Sequence, residues 1–291
     1  MQPLNLNDVV QFVEDHIGEF HERREASLKN LKLTQVLKRK NPYLFKAKDI
    51  NDAHDLVKLL LDAHLSSQEE TIFGEFLEKL AIFVCGQVFN GRKSSAEGVD
   101  LEFTRDGILY IVSIKSGPNW GNSSQVKRMV DNFKQAKRIL RTGNNKANIQ
   151  AVNGCCYGQE RKPDKGDYLK LCGQEFWEFI SGDERLFVDI VKPLGHQAKE
   201  RNKAFLVEYA KIVNLFTQEF MNDFCVNGMI DWDKLVRFNS GKKIDKSKKE
   251  TAPPPSSESS KPSPSPITSY YNFANRLTTF AALGARSIAP P

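Results

Sequence analysis

The sequence predicts a helix-rich α/β fold, and three observations predict it. Apolar residues recur every three to four positions through most of the chain before Asn90, the period of a helix with one buried face. The period drops to two at Val99, where Val99, Leu101 and Phe103 alternate with Asp100, Glu102 and Thr104, as in a half-buried strand. Helical spacing returns near His196 after two short apolar runs.

Asn7 is placed to cap a first helix with Val10, Val13, Ile17 and Phe20 inward, running past Arg24 until Asn41-Pro42 stops it. A second helix fits residues 51–64, with a stripe of Ala53, Leu56, Leu59 and Leu60. A third fits residues 69–88, with Phe73, Phe76, Leu77, Leu80 and Val84 inward. Asp106-Gly107 is a two-residue turn signal, so the strand before it and the β-branched run at residues 108–115 form a hairpin. After the Gly117-Pro118 break, Ser123 or Ser124 caps a helix burying Val126, Val130, Phe133 and Leu140. Residues 149–157 read as a buried strand, 168–171 as a short strand and 175–180 as a brief helix. A long helix over residues 196–223 carries Phe205, Tyr209, Ile212, Leu215, Phe216 and Phe220.

At 291 residues and 40% hydrophobic content the chain can build a substantial core. It has no run of 18 apolar residues and no charged start followed by an apolar stretch, so neither a membrane span nor export is expected and the protein reads as cytoplasmic. Five cysteines without a C-x-x-C pair read as reduced thiols, with adjacent Cys155 and Cys156 both in the core. The five histidines form no metal-binding pair, and His54 and His64 read as surface or boundary residues of a helix. No Walker or dinucleotide-binding glycine loop occurs.

Of the formal net charge of +6, residues 242–291 contribute +5, with eight Lys and Arg against three acids. The body is therefore nearly neutral, and a basic surface on it must be a local patch. We expect one domain over residues 1–240, a disordered Lys/Pro/Ser linker over 241–267, and a weakly ordered terminal segment over 268–291.

The hairpin turn sets a register in which Arg105 faces Ile108 and, counting back, Asp100 faces Ser113. Asp100 and Glu102 then share a face with Ile111, Ser113 and Lys115, while Val99, Leu101, Phe103, Tyr110, Val112 and Ile114 point the other way. Lys115 lies one diagonal step from Asp100, about 7–8 Å between backbones, within reach of its long stem. A structural ion pair is the plainest account of such a couple. Its setting suggests more: a polar, Gly-rich loop from Ser116 to Ser123 leads into a helix N-terminus, a place suited to phosphate. That helix then carries Lys127, Lys134, Arg138 and Arg141 on one stripe, with Arg128 and Lys137 beside it.

Asp100 followed by Ser113-Ile114-Lys115 resembles the PD-(D/E)xK nuclease core, an acid on one strand and acid-x-lysine on the next. The runs SSQEETIFGEFLEKLAIFVCG, SSAEGVDLEF, VSIKSGPNWGNSSQ, VNGCCYG and PDKGDYLKLCGQEFWEFISG are similar to the PmeII-like group of type II restriction endonucleases, over residues 7–240. The resemblance implies a restriction-endonuclease-like core, a central mixed sheet flanked by helices. It implies Mg²⁺-dependent, sequence-specific hydrolysis of double-stranded DNA by a homodimer with a cognate DNA methyltransferase as genetic partner. It also implies Asp100 and the Ile114 carbonyl as metal ligands and Lys115 as the residue acting on the attacking water.

Two positions depart from the pattern. Val99 stands where the motif has proline, and Ser113 stands where it has the second carboxylate. A hydroxyl is a poor ligand for a hard cation, so a replacement is expected from Glu78 or Glu75 on the preceding helix, ahead of Glu97 and Glu102. Ser123, Ser124, Gln125, Lys127 and Arg128 are expected to touch DNA phosphates, and Asn119, Trp120, Asn122 and the 161–167 loop to approach bases. The rival readings are a non-catalytic DNA-binding protein on a nuclease scaffold and a repair-type nuclease of the same fold.

Overall fold

The computed structural model describes residues 2–143 and 148–242. The expected linker and terminal segment lie outside the described residues, save for Gly241 and Lys242. The fold is a helix-rich α/β arrangement around one mixed sheet.

Helix α1 (Leu6–Lys29) is capped by Asn5, whose side chain accepts from the Asn7 backbone N–H. It buries Val9, Val13 and Ile17 rather than Val10, which is exposed, so the inner stripe is rotated from the expected one. The helix stops at Asn30, well before Asn41-Pro42. Asn41 caps, and Pro42 opens, the short α3 (Pro42–Ala47), because proline at the first helical position needs no hydrogen-bond partner for its nitrogen. Between them lies α2 (Leu33–Arg39).

The two helices expected over residues 51–88 are one, α4 (Ala53–Phe89), 37 residues long. No Pro or Gly interrupts the polar turn Ser66-Ser67-Gln68, and Ser67 and Thr71 satisfy their hydroxyls on the carbonyls four residues back. The helix serves two cores. Its first half packs with α2, α3 and α9 (Ala198–Phe224) through Leu56, Leu60, Leu61, Phe216 and Phe220. Its second half packs on the sheet through Phe76, Leu77, Leu80 and Val84. Leu59 and Leu215, both expected inward, are exposed.

The sheet runs β1 (Arg92–Lys93), β2 (Leu101–Arg105), β3 (Ile108–Lys115), β4 (Asn148–Cys155), β5 (Leu169–Cys172) in spatial order. The first two pairings are antiparallel and the last two parallel. Leu101 pairs with Val112 and Arg105 with Ile108, the register set by the Asp106-Gly107 turn, where both residues have positive φ. One sheet face buries Leu101, Phe103, Val112 and Ile114 against α1, α4 and α6 (Gln174–Ser181). The other buries Ile111, Ile149 and Ala151 under α5 (Ser123–Gly143), the crossover from β3 to β4, through Met129, Phe133 and Ala136. Val99 belongs to this second face, not to that of Leu101. The strand starts only at Leu101, and Gly98 just before Val99 has φ +73° and lies so close to the Asn132 side chain that a Cβ would overlap it.

Cys155 and Cys156 are both buried. Beyond α6 come α7 (Leu186–Asp189) and α8 (Val191–Leu194) before α9, then β6 (Cys225–Val226), β7 (Met229–Ile230) and α10 (Trp232–Ser240). Among the described residues, no helix is long and apolar enough to cross a membrane.

Candidate active site

The site lies where β2 and β3 separate. Past Leu101 the ladder has one further backbone bond, from Asp100 N–H to the Val112 carbonyl at 2.8 Å. The next donor, Ile114 N–H, is taken by the Asp100 carboxylate instead, Oδ2 accepting at 2.7 Å. The Asp100 carbonyl turns away to accept from Ser94 N–H. The side chain of Asp100 is thus locked onto the neighbouring strand by a charge-assisted bond to backbone. Ser113, only 2% exposed, adds its hydroxyl to the same oxygen at 3.4 Å.

Lys115 converges on this carboxylate. Its Nζ is 3.6 Å from Asp100 Oδ2 and donates to the Ile114 carbonyl at 2.8 Å. Both side chains keep part of their surface, 22% for Asp100 and 31% for Lys115, so the pair is reachable from outside. The ammonium also lies 5.5 Å from the centre of the Trp120 ring, a cation–π arrangement.

Glu78 and Glu75 take different roles. Glu75 is drawn to α1, where Arg23 donates to it at 2.6 Å and holds its carboxyl below the usual range. Glu78 faces the sheet side of α4 near Cys156. Burial pushes the Cys156 thiol up to about 12, the Glu78 charge adds to the rise, and the Lys115 charge opposes it. Lys93 of β1 reaches Glu78 at 3.4 Å. The two local competitors are engaged elsewhere: Glu102 by Arg92 at 2.7 Å and Ser94 at 3.2 Å, Glu97 by Arg128 at 3.4 Å.

Among the described residues, no three His, Cys, Asp or Glu side chains gather where they could hold a metal ion. The donor set at the hairpin end is smaller and all oxygen: the Asp100 carboxylate and the Ile114 carbonyl beside it, while Glu78 of α4 is paired with Lys93. Hard oxygen donors suit Mg²⁺, which keeps much of its water and needs one or two carboxylates. The residues present fit such an ion.

The loop after β3 is built onto the site by a residue that sequence reasoning missed. Asn153 on β4, 1% exposed, donates through Nδ2 to the Ser113 carbonyl at 3.1 Å and accepts from Trp120 Nε1 at 3.1 Å. Lys170 of β5 donates to the Pro118 carbonyl at 2.9 Å. The sequence signal for Asn153 was a polar residue inside a largely apolar run, which it shares with Gln150.

Helix α5 is capped by Asn122, not by Ser123 or Ser124. Asn122 Oδ1 accepts from Gln125 N–H at 3.0 Å and Gln125 Oε1 accepts from Asn122 N–H at 2.9 Å, a reciprocal capping box. Gln125 and Asn122 are thereby engaged, while Ser123 and Ser124 stand exposed at the helix start. Lys127 and Arg128 are exposed, and Lys134 pairs with Asp167 at 3.3 Å. In the 157–168 loop the backbone N–H of Lys162, then the Lys165 ammonium, hold the Glu160 carboxyl down at about 2. A cavity of about 290 Å³ lies between the loop residues Ser116–Trp120 and the α4 residues Glu70 and Thr71, with Asn119 in its wall.

Comparison with known proteins gives one family. The model of the type II restriction endonuclease EcoO109I family matches residues 7–202. No curated protein matches the chain. Because that match takes in well over half of the sequence, with the whole mixed sheet and every residue gathered at the hairpin end, the chain belongs to the type II restriction endonuclease EcoO109I family.

Proposed function

We propose that this type II restriction endonuclease cuts double-stranded DNA at specific sequences with Mg²⁺ as its ion, and that its catalytic residues are Asp100, Lys115 and Glu78. The observation that carries this reading is the locking of Asp100 onto Ile114 N–H with the Lys115 ammonium 3.6 Å away. Asp100, the Ile114 carbonyl and, in exchange for its 3.4 Å pair with Lys93, Glu78 would hold the ion; Glu75, held closer by Arg23 at 2.6 Å, would not. When bound, a divalent ion supplies Lewis acidity toward water and offsets the negative charge that builds on the phosphate.

The chain's own part is orientation and proton management. Ile114 N–H and the Ser113 hydroxyl fix one oxygen of Asp100, Oδ2, while Oδ1 accepts no hydrogen bond among the described residues. Ser113 thus supports the acid instead of supplying a second one. Lys115, held by the Ile114 carbonyl and covered by the Trp120 ring, keeps an ammonium beside the reacting phosphate. There it can orient the attacking water and donate toward the phosphate oxygens as charge accumulates on them.

The exposed hydroxyls of Ser123 and Ser124 at the start of α5, with Lys127 and Arg128 beyond, are suited to the DNA backbone. Asn119 and Trp120 occupy the loop above the site and Asn122 closes it, which supports their approach to bases. Membership in the PmeII-like group, a homodimer reading a palindrome, a partner methyltransferase, a cytoplasmic location and a nuclease domain over residues 1–240 complete the proposal.

The test is digestion of supercoiled plasmid with Mg²⁺. Discrete fragments are expected, lost in Asp100→Asn and in Lys115→Ala while duplex binding persists. Undiminished cutting by either variant would remove these residues from the mechanism. Random nicking would favour the repair-type reading, and binding without cutting by the unaltered chain the scaffold reading.

A further inference from the structure

A second cavity, of about 690 Å³, opens between α1, the end of α2 and α4. Its wall includes Arg23, Asn30, Arg39, Lys40, His64 and Thr71, and no acidic residue lines it. The cations are incompletely used. Lys40 gives one N–H to the Ala63 carbonyl at 2.8 Å, and Arg23 gives one to Glu75 at 2.6 Å. Arg39 is exposed and makes no hydrogen bond or ion pair among the described residues.

His64, expected at the surface, is instead 4% exposed, and its Nε2 has no partner among the described residues. Buried polar atoms are almost always bonded, and this one is an unmet polar atom in a residue of the cavity wall. Burial first, then the charges of Lys40 and Arg39, lower the His64 pKa and keep the ring neutral, able to donate or accept. A wall of donors and cations with no carboxylate is the chemistry of an anion site.

The cavity also has a direction. Thr71 lines both it and the smaller cavity beneath Ser116–Trp120. Thr71 of α4 thus stands between them, with Arg39 in the wall of the one and Ser116 in the wall of the other. Ser67, in the wall of the larger cavity, and Glu78 are about 16 Å apart on the helix axis at 1.5 Å per residue. That distance corresponds to several phosphates of a strand rising about 3.4 Å per nucleotide.

We infer that this cavity binds a phosphate group, and that the phosphate is one of the DNA backbone a few nucleotides from the scissile bond. The DNA source rests on the function proposed above; the anion chemistry does not. Nearer to the chemistry, the same groove would hold the strand along α4.

The test uses the full chain and its Arg39→Gln and Lys40→Gln variants, with thermal melting to check folding. In one arm, duplex affinity is measured over a salt series without divalent ion, using a duplex limited to the recognition region and one extended on both sides. On the extended duplex each variant should lose affinity, and its log–log salt slope should shrink by about 0.9 for the one contact removed. On the short duplex the variants should match the unaltered chain. In the other arm, inorganic phosphate is titrated while the His64 ring resonance is followed by NMR. A saturable shift, lost in both variants, is expected.

A flat DNA arm with a saturable phosphate shift keeps the anion site but assigns it to a free phosphate ligand. Flat results in both arms overturn the inference. If the unaltered chain binds no duplex at all, the nuclease reading fails, and the phosphate titration alone decides this one.

Discussion

Asp100 would be an unremarkable carboxylate on a strand edge if its oxygen were not tied to Ile114 N–H, and Lys115 would be a solvated lysine without the Ile114 carbonyl. Position comes from backbone, which does not change with side-chain fluctuation. Asn153 performs the same service one strand away, joining the Ser113 carbonyl to the Trp120 indole. Replacing it with leucine, Asn153→Leu, keeps the branching of the side chain but removes its polar atoms, so the Trp120 indole N–H loses its acceptor and the Ser113 carbonyl its amide donor, at a cost of about 1–3 kcal/mol. We expect a lower urea midpoint and, because Trp120 loses its anchor above Lys115, slower plasmid cutting at saturating DNA. An unchanged midpoint would show that water replaces the amide and that Asn153 holds nothing in place.

At the scale of elements, α4 ties the molecule together, since it serves the helical core with one half and the sheet with the other. Gly74 sits inside it on the side facing Ser116, where an added Cβ would lie 3.6 Å from the Ser116 Cβ, an ordinary contact. Glycine within a helix costs about 1 kcal/mol relative to alanine. Gly74→Ala should therefore raise the melting temperature by about 2–4 °C; a fall would mean that the loop after β3 cannot accept even a methyl group. The same elements show what the sequence could disclose. The hairpin register was legible because strict alternation and an Asp-Gly turn leave only one pairing that keeps Leu101 and Phe103 inside. That register holds only as far as Leu101 and Val112: Asp100, expected opposite Ser113, bonds the Val112 carbonyl instead, and Lys115 still reaches its carboxylate at 3.6 Å. The continuity of α4 was not legible, because Ser66-Ser67-Gln68 looks like a break until two cores claim the flanks. Caps were misplaced by one or two positions, Asn5 for Asn7 and Asn122 for Ser123 or Ser124, since several capping residues stand close together and only packing chooses among them. His64 and Asn153 were missed for one reason: burial of a polar side chain depends on a neighbouring element distant in sequence, here α1–α2 for His64 and the Trp120 loop for Asn153.

For the molecule as a whole, the sheet separates two apolar faces, and thiols are enclosed within them. Cys85, wholly buried in the second half of α4, has its thiol pushed from 9.0 up to about 12 by burial. Cys155, Cys156 and Cys172 move in the same direction for the same leading cause. A raised thiol pKa favours the protonated form in the native state. Below about pH 9 both native and unfolded chains keep these protons, and the stabilisation is complete. Above it the unfolded chain releases protons that the native chain retains, so stability falls as pH rises toward the native values. Each buried thiol contributes a slope of about 1.4 kcal/mol per pH unit in that window. Tyr209 acts in the same sense, its phenol raised by burial and by the Asp62 carboxylate to which its hydroxyl donates a hydrogen bond. Urea midpoints measured from pH 8 to pH 11 should therefore be level at first and then decline. Cys85→Ala lowers the midpoint everywhere through its small cavity, but should make the alkaline decline shallower by one thiol. A variant with an equally steep decline would show that the Cys85 thiol ionises in the native protein and that water reaches this core.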